Sequence, residues 1–415
     1  MSLGSLWRHE GFMRLWGGET VEWLTDNFTF LALPTIAIEI FNAGPVETGI
    51  LWALNYLAWA FLGLYAGVMI DRWKRKPVLI WTNIVQVLAL ASIPVTYFLN
   101  CLSLAQIFLV AIVMSMTSVF FAVAYQAYLP TLINREDLIE GNSKLESSAS
   151  VASVVGQGIA GPLYQLLRAY SIALDALGTL IAAVMILWIR EPEPPNSPEV
   201  TRRFWQELKA GVKVVSESPV LRSLTASTSI LNFGVGMFWA VFFLFMYKSL
   251  LLPPDIAGYV ICVGGIGTLI GAVSSPRLLK RLGLGPLLSI ALVSYGVGLL
   301  AVQASVLGPS AIMLAGIWLL TSMSVPIYNV SQVSFRQTIV SDMLQGRMNA
   351  TMRTVGYSGA ALGAVVGGFV GRQFGISTAM MSGALIVLIS ALIIWLTPIG
   401  RVRETPITVS YGKAD

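Results

Sequence analysis

Three carboxylates lie within one long apolar stretch of this chain. Glu19, Glu22 and Asp26 stand in the sequence GGETVEWLTDNF, which covers residues 17–28. A helix would place them within about 60° of one another, with Thr29 close by, because each residue turns the helix by about 100°. Burial and like charge both favour the protonated form of such acids. They are therefore candidates for proton coupling; the alternative is that they pair with basic residues or helix ends and only stabilise the fold.

Few other residues suggest chemistry. His9 is the only histidine, and Cys101 and Cys262 fall in a loop and in a predicted helix, so we expect no metal site, no disulfide and no cofactor. Asp175 is a further acid in a later apolar stretch. We expect it to form a structural ion pair with Arg168; the alternative is a role in gating. Because paired carboxylates are not expected on separate helices, the sequence does not favour a membrane-embedded enzyme.

The composition places these acids in a membrane. Hydrophobic residues make up 56% and charged residues 11% of the 415 residues, whereas roughly 25% are charged in a soluble domain. The mean hydropathy is +0.75, and apolar stretches of about 20 residues suit helices that span a bilayer. We expect an all-α membrane protein with twelve transmembrane helices, at residues 13–40, 47–70, 77–99, 103–127, 146–167, 171–189, 220–247, 255–275, 284–305, 309–333, 350–372 and 377–398.

The basic residues predict the orientation of the chain. If the N-terminus is cytoplasmic, every lysine and arginine except Arg168, Lys248 and Arg372 falls in a cytoplasmic segment. Such a bias marks the cytoplasmic side, so both termini are predicted to be cytoplasmic. The same bias accounts for the net charge of +5 without a nucleic acid partner.

Two similar halves are predicted on either side of a polar segment. Segments GVMIDRWKRK (67–76) and GAVSSPRLLKR (271–281) stand at corresponding places, which favours two pseudo-symmetric six-helix bundles. Helical spacing of apolar residues from Phe204 to Val215 predicts an amphipathic helix on the inner membrane surface. We assign the N-terminal bundle to 1–190, a cytoplasmic linker with the amphipathic helix to 191–218, the C-terminal bundle to 219–400 and a cytoplasmic tail to 401–415.

The segment GVMIDRWKRK resembles the loop signature of the major facilitator superfamily, G-x-x-x-D-R-x-x-R-R/K, and the resemblance covers the whole chain. The chain is similar to the drug:proton antiporter branch that includes macrolide and enterobactin exporters, through LWGGETVEWLTDN in helix 1, AYLPTLINREDLIEGN before helix 5 and IALDAL in helix 6. It departs from the family at Lys74, where Gly or Asp is usual, in the partial motif GQGIAGP of helix 5, and in helix 4, which lacks an arginine.

The resemblance implies a cytoplasmic gate around this loop. Gly67 is expected to let helix 2 end close against a neighbour. The predicted gate residues are Gly67, Asp71, Arg72, Arg75, Arg135 and Glu136.

The family fold lines its central cavity with helices 1, 4, 7 and 10. Those helices supply Trp23, Phe120, Tyr125, Gln126, Asn232, Phe238, Trp239, Trp318, Tyr328, Asn329 and Gln332. Aromatic rings with a few amides suit a large, partly apolar ligand. Because no lysine or arginine lies at mid-depth in these helices, the sequence argues against a strongly anionic substrate.

Glycine spacing predicts close helix contacts. Helix 11 carries glycines at 356, 359, 363, 367 and 371, helix 5 has them at 156, 158 and 161, and helices 2 and 8 have them at 63, 67, 264, 267 and 271. Small residues let helix backbones approach closely in membranes. The resemblance implies that helix 2 packs on helix 11 and helix 5 on helix 8; static packing and sliding contacts are both consistent with the glycines.

The expected function is export by alternating access, with inward proton flow driving an amphipathic small molecule or drug outward. Such a protein would work as a monomer within the lipid bilayer. The alternatives are a lysolipid flippase, a siderophore exporter and a proton-coupled uptake symporter.

Overall fold

The computed structural model describes residues 5–191, 204–340 and 342–402, and these residues are almost entirely helical. Part of the predicted linker, residues 192–203, and most of the predicted tail, residues 403–415, lie outside the described ranges. The α-helices are α1 Glu10–Glu39, α2 Pro45–Arg72, α3 Arg75–Phe98, α4 Leu104–Leu132, α5 Leu138–Leu167, α6 Ser171–Leu187, α7 Phe204–Glu217, α8 Pro219–Leu244, α9 Pro254–Leu282, α10 Leu284–Ala301, α11 Ser310–Ile339, α12 Asp342–Phe374 and α13 Ile376–Leu396.

Nine helical stretches within the described ranges are long and apolar enough to cross a membrane. One of them, Leu138–Leu187, contains both α5 and α6. The prediction of an all-helical membrane fold is therefore confirmed.

Side chains fix several helix starts. The hydroxyls of Ser103 and Ser218 accept hydrogen bonds from the backbone N–H groups of Gln106 and Leu221, at 3.2 and 3.3 Å. Each of these bonds satisfies one of the N–H groups that a first helical turn leaves without a partner. The starts of α4 and α8 are thus encoded locally, a few residues from the predicted span boundaries.

The first of two compact units comprises Met1–Asn42, Tyr65–Thr201 and Pro253–Cys262. Within it α1 packs against α5 and α6, and α3 packs against α4 and α6. The neighbour order is therefore α5, α1, α6, α3, α4. Phe12, Leu15 and Leu79 are fully buried in its core, so α1 is a central helix and any polar residue on its inner faces is enclosed by protein.

The second unit comprises Ala43–Leu64, Arg202–Leu252 and Val263–Asp415. Here α8 packs against α12 and α13, and α10 packs against α11 and α13. The neighbour order is α12, α8, α13, α10, α11. Phe242 and Trp318 stack in its interior, with ring centroids 4.7 Å apart.

The predicted amphipathic helix is present as α7. Val215 is buried, whereas Val212 is 47% exposed. A Cβ atom added to Gly211 would lie 2.7 Å from the Arg347 carbonyl oxygen, so α7 packs closely on α12. Its position on the membrane surface stays a prediction, and the side chains of Phe204 and Leu208 lie outside the described part of the structure.

Four glycines of the helix 11 row face α8, whereas the fifth, Gly371, contacts Pro45 of α2. An added Cβ would lie 2.5 Å from the Ser229 carbonyl oxygen at Gly359 and 2.5 Å from the Met237 Cα atom at Gly367. Both contacts are with α8 rather than with α2. Spacing along one helix identifies a face for close packing but not the helix that it meets.

The predicted contact of helix 2 with helix 11 is confirmed at another glycine. A Cβ atom added to Gly49 would lie 2.6 Å from the Ala364 carbonyl oxygen and 2.9 Å from the Gly368 Cα atom. By contrast, a Cβ atom at Gly67 would meet no described atom of its own unit within 4 Å. The close approach expected of Gly67 is therefore not seen within that unit.

The predicted contact of helix 5 with helix 8 is confirmed at the first turns of α9. A Cβ atom added to Gly161 would lie 2.9 Å from the Asp255 Cα atom, and one added to Gly258 would lie 2.8 Å from the Gly161 Cα atom. Gly264 and Gly271, assigned to the same contact, face Ser322 and Pro326 of α11 instead.

Alanine at Gly363 should destabilise the protein. A Cβ atom there would meet the Phe233 carbonyl group of α8, and overpacking of this kind costs about 1–3 kcal/mol. We expect Gly363→Ala to lower the midpoint of thermal unfolding in detergent, measured by size-exclusion chromatography after heating. Gly346→Ala, on the same helix with no described atom near the added Cβ, is the matched control and should unfold at or above the wild-type temperature. Equal midpoints for the two variants would contradict this assignment.

Candidate functional site

The three acids of α1 lie on one face in the first unit. Glu19 is 1% exposed and Glu22 is 8% exposed, while Asp26 is exposed. Thr25 and Thr29, on the same face, are buried. The polar stripe expected from the sequence is therefore present, and Asp26 is its exposed end.

Helix α6 approaches this stripe through small residues. A Cβ atom added to Gly18 of α1 would lie 3.1 Å from the Ala182 Cα atom, and one added to Gly178 of α6 would lie 2.8 Å from Thr25 Cγ2. The two helices run in opposite directions past each other. This contact brings Asp175, one turn before Gly178, to the acid stripe.

Asp175 belongs to the acid cluster, which the sequence analysis did not predict. Its side chain is completely buried, and it interacts electrostatically with Asp26 and Glu22. The hydroxyls of Thr25 and Thr29 face it, but neither Asp175 oxygen has a hydrogen-bond partner of normal geometry in the described structure. The expectation that no carboxylates would pair across two helices was wrong, because helix contacts were unknown.

Arg168 does not pair with Asp175. Its Nη1 atom lies 2.8 Å from Glu39 Oε2, and the Tyr164 hydroxyl donates to the same carboxylate oxygen at 3.2 Å. The chain places Glu39 at the end of α1, within reach of the turn after α5. The predicted Arg168–Asp175 pair is therefore wrong, and Asp175 is left without a counter-charge.

Helix α3 contributes a buried amide to the cluster. Asn83 is 1% exposed, and its Nδ2 atom donates to Glu22 Oε2 at 3.4 Å. One oxygen of Glu19 has no hydrogen-bond partner. No lysine or arginine of the described residues forms an ion pair with Glu19, Glu22, Asp26 or Asp175. In the sequence, Asn83 could have been recognised as a candidate site residue because it is an amide within an apolar predicted span.

Ionisation of these carboxyl groups is energetically unfavourable in this arrangement. Burying a carboxylate without a cation or a full set of hydrogen bonds is unfavourable, and each further negative charge nearby increases that cost. Glu22 interacts with three other acids, Glu19, Asp26 and Asp175. The site can therefore relieve its own repulsion by binding protons, which is the chemistry that carboxyl groups inside membrane proteins perform in proton relays.

Aromatic side chains of α4 lie beside the cluster. The rings of Trp23 and Tyr125 meet edge to face, 6.4 Å apart, and Tyr125 is close enough to Glu19 to interact with its charge. Phe120 instead stacks on Trp73, 6.5 Å away, and lines a groove of about 750 Å³ with Arg72 and other residues of α3 and α4. Of the predicted ligand-contacting residues in this unit, Trp23 and Tyr125 are thus half-buried next to the acids, and Gln126 is exposed.

The predicted cavity residues of the second unit divide into two groups. Asn232, Tyr328 and Asn329 line a cavity of about 120 Å³, and Tyr328 bonds to the Thr228 hydroxyl at 2.9 Å. Phe238 is completely buried and stacks on Trp318, 6.0 Å away.

The assignment of Phe238 to a ligand surface was therefore wrong, because aromatic spacing does not distinguish core from cavity. Trp239 is half-buried, with its ring 5.1 Å from that of Trp52, and Gln332 is buried.

The predicted gate is described only in part. Arg72 and Glu136 are exposed, and Gly67 and Arg75 are half-buried. Asp71 lies in the last turn of α2 and Arg135 in a short turn before α5, but their side chains lie outside the described part of the structure. The gate stays a prediction.

A family model described as "Transmembrane secretion effector" matches residues 35–410. The chain belongs to this family of the major facilitator superfamily. The resemblance seen in the sequence is thereby confirmed, and the protein is a multi-pass membrane transporter of small molecules rather than an enzyme.

Relatives of known name include efflux proteins. The enterobactin exporter EntS of Escherichia coli O127:H6 is 24% identical over 421 residues, covering 100% of this chain and 98% of the exporter. Macrolide efflux protein A of Streptococcus pyogenes is 24% identical over 215 residues, 51% of this chain and 53% of that protein. The MFS-type transporter YfiS of Bacillus subtilis (strain 168) is 22% identical and covers 98% of this chain and 97% of its own.

Solved transporter structures share the fold. The nucleoside transporter NupG superposes with a TM-score of 0.76 at 14% identity, covering 92% of this chain and 98% of its own. A bacterial homologue of the iron transporter ferroportin also gives 0.76, at 19% identity over 94% of this chain and 98% of the homologue. At these identities the likeness concerns the fold alone.

Replacing Asp175 by asparagine should not destabilise the protein. Because only the hydroxyls of Thr25 and Thr29 face Asp175, Asp175→Asn exchanges an acid that other acids repel for a neutral amide of the same shape, and we expect an equal or higher thermal midpoint in detergent at neutral pH. Glu39→Gln is the control, since it breaks a partly exposed ion pair worth about 1 kcal/mol or less. A midpoint for Asp175→Asn clearly below that of Glu39→Gln would mean that Asp175 has a strong partner.

Proposed function

We propose that the protein is a proton-driven exporter of amphipathic small molecules that works by alternating access. The observation that carries this proposal is the carboxyl cluster of Glu19, Glu22, Asp26 and Asp175, which α1 and α6 bring together without a cation from the described residues. A structural role for acids in a membrane protein is normally accompanied by a pairing partner. The described residues provide Glu22 with one amide, Asn83, and place only the hydroxyls of Thr25 and Thr29 against Asp175.

The exposure of the four acids suggests a route for the proton. Asp26 is exposed, whereas Glu22, Glu19 and Asp175 are closed off from solvent. Asp26 would exchange protons with water, and the buried acids would share the proton among themselves through their mutual repulsion. Substrate binding nearby would then displace the proton, which is a linkage between two ligands.

The proposed exporter has twelve membrane spans, arranged as two pseudo-symmetric six-helix bundles. The same order of neighbours in the two units supports it: α5, α1, α6, α3 and α4 in the first correspond to α12, α8, α13, α10 and α11 in the second. Inverted or parallel repeats of this kind are typical of transporters that open alternately to either side. The excess of basic residues on one side supports cytoplasmic termini in a bacterial inner membrane, and the protein is proposed to work as a monomer.

Export is proposed over uptake because relatives of this chain are efflux proteins. The enterobactin exporter EntS matches over nearly the full length of both chains, and macrolide efflux protein A matches over about half. The half-buried rings of Trp23 and Tyr125 beside the acids provide apolar contact area close to the proton site. This position suits an amphipathic substrate that competes with a proton.

Proton flux in proteoliposomes tests the proposal. A pH-sensitive dye is enclosed, a proton gradient is imposed, and macrolides, amphipathic cations, siderophores and lysolipids are added in turn. We expect at least one compound to drive proton movement in the wild type. Glu22→Gln, Asp26→Asn and Asp175→Asn should each reduce this flux by about tenfold or more, as loss of a proton-transfer group typically does.

Glu39→Gln is the matched control, because it changes a carboxylate to an amide on the same helix, outside the cluster. It should retain most of the flux. Flux that survives all three cluster variants would place coupling elsewhere and make the cluster structural. Transport without proton movement would favour a facilitator or a flippase instead.

A further inference from the structure

A buried cation lies in the second unit, where the proposed mechanism does not use it. Arg336 stands in the last turn of α11 and is 8% exposed. Its Nε atom has no hydrogen-bond partner, and its Nη1 atom donates to Met352 Sδ at 3.0 Å. A guanidinium group carries five N–H donors, whereas a thioether is a weak acceptor. The buried Nε donor of Arg336 is therefore unused, and Nη1 has only a weak partner.

No carboxylate among the described residues pairs with Arg336. Its electrostatic neighbours are Tyr328 and a second cation, Arg353. A buried charge without an opposite charge is unfavourable, and a like charge nearby increases the cost. An anion from outside the chain would satisfy both the charge and the free donors.

The residues around Arg336 form a polar stripe on α11. Tyr328, Gln332 and Arg336 recur every four residues, so they share one face of the helix, and all three are buried. The Oε1 atom of Gln332 has no partner. Arg336 interacts electrostatically with Tyr328, and Tyr328 continues the stripe into the 120 Å³ cavity.

We propose that Arg336 and Gln332 bind the anionic group, a carboxylate or a similar oxyanion, of an amphipathic compound. Arg336 would supply parallel N–H donors in the fork geometry that matches an oxyanion, and Gln332 would add its amide N–H. The cavity lined by Tyr328 and Asn329 would hold the adjoining atoms. That this compound is the transported substrate rests on the proposed function; the anion site itself does not.

This site revises the substrate class expected from the sequence. The cavity-lining helices carry no lysine or arginine at mid-depth, but Arg336 lies near the end of α11. Its side chain is nevertheless buried within the unit. An anionic amphiphile is consistent with this position, because its charge would meet Arg336 while its apolar part contacts aromatic side chains.

A matched pair of ligands tests the site at equilibrium. Purified full-length protein in neutral detergent is titrated with 2-naphthoate and with the uncharged 2-naphthamide by isothermal titration calorimetry. We expect naphthoate to bind the wild type more tightly. Arg336→Gln should weaken naphthoate binding by roughly tenfold or more, the size expected for a hydrogen bond to a charged group, and leave naphthamide binding unchanged.

Arg372→Gln is the control, because it removes the same charge from an exposed position at the other end of α12; it should preserve the preference for naphthoate. If Arg336→Gln does not fold, Arg336→Lys is compared instead, since lysine keeps the charge but loses the planar fork. Equal binding of the two ligands to the wild type, an equal loss of both in the Arg336 variant, or no naphthoate binding would overturn the proposal. The titration has no proton gradient, so a failure of proton coupling leaves its result unaffected.

Discussion

Burial of carboxyl groups without counter-charges is the constraint around which the first unit is organised. Water is absent from the hydrocarbon region, so an acid there must be paired, protonated or placed at a wet surface. Three of the four acids in the cluster are closed off from solvent and the fourth, Asp26, is exposed. A helix with such a face is stable only when other helices enclose it, and α1 is accordingly the central helix, between α5 and α6.

Small residues make that enclosure possible. Gly18 and Gly178 allow α1 and α6 to approach so closely that an added Cβ atom would collide. Gly156 of α5 contacts the opposite side of α1, where an added Cβ atom would lie 2.5 Å from the Leu24 carbonyl oxygen. Packing of this kind supplies the van der Waals contact that membrane helices depend on, since lipid tails compete equally for apolar surfaces. The energy gained by close packing offsets the cost of the acids.

Local features of the fold were predictable from the sequence, whereas contacts between helices were not. The stripe of Glu19, Glu22 and Asp26 follows from helical periodicity alone, and it is present in the structure. Asp175 could not be assigned to it, because its partner depends on which face of α6 meets α1. The nearest cation along the chain, Arg168, was the obvious choice, but a carboxylate at the other end of α1, Glu39, holds it.

The same limit applies to residues that face the interior of a unit. Phe238 and Tyr328 are both aromatic residues of predicted cavity-lining helices. Phe238 nevertheless lies in a closed aromatic core, whereas Tyr328 lines a cavity. Arg336 is at the end of a helix, where positive charge is ordinarily exposed, and only the three-dimensional packing buries it. The spacing of residues along a helix therefore does not show that a charged side chain in its last turn is buried.

Infrared spectroscopy of the purified protein tests the central claim most directly, because a protonated carboxyl group has a C=O stretching band that a carboxylate lacks. The account predicts a protonated-carboxyl band at neutral pH that weakens in Glu22→Gln and in Asp175→Asn and is unchanged in Glu39→Gln. Absence of any such band in the wild type at neutral pH would contradict the account, because the buried acids would then be ionised and would not carry the proton.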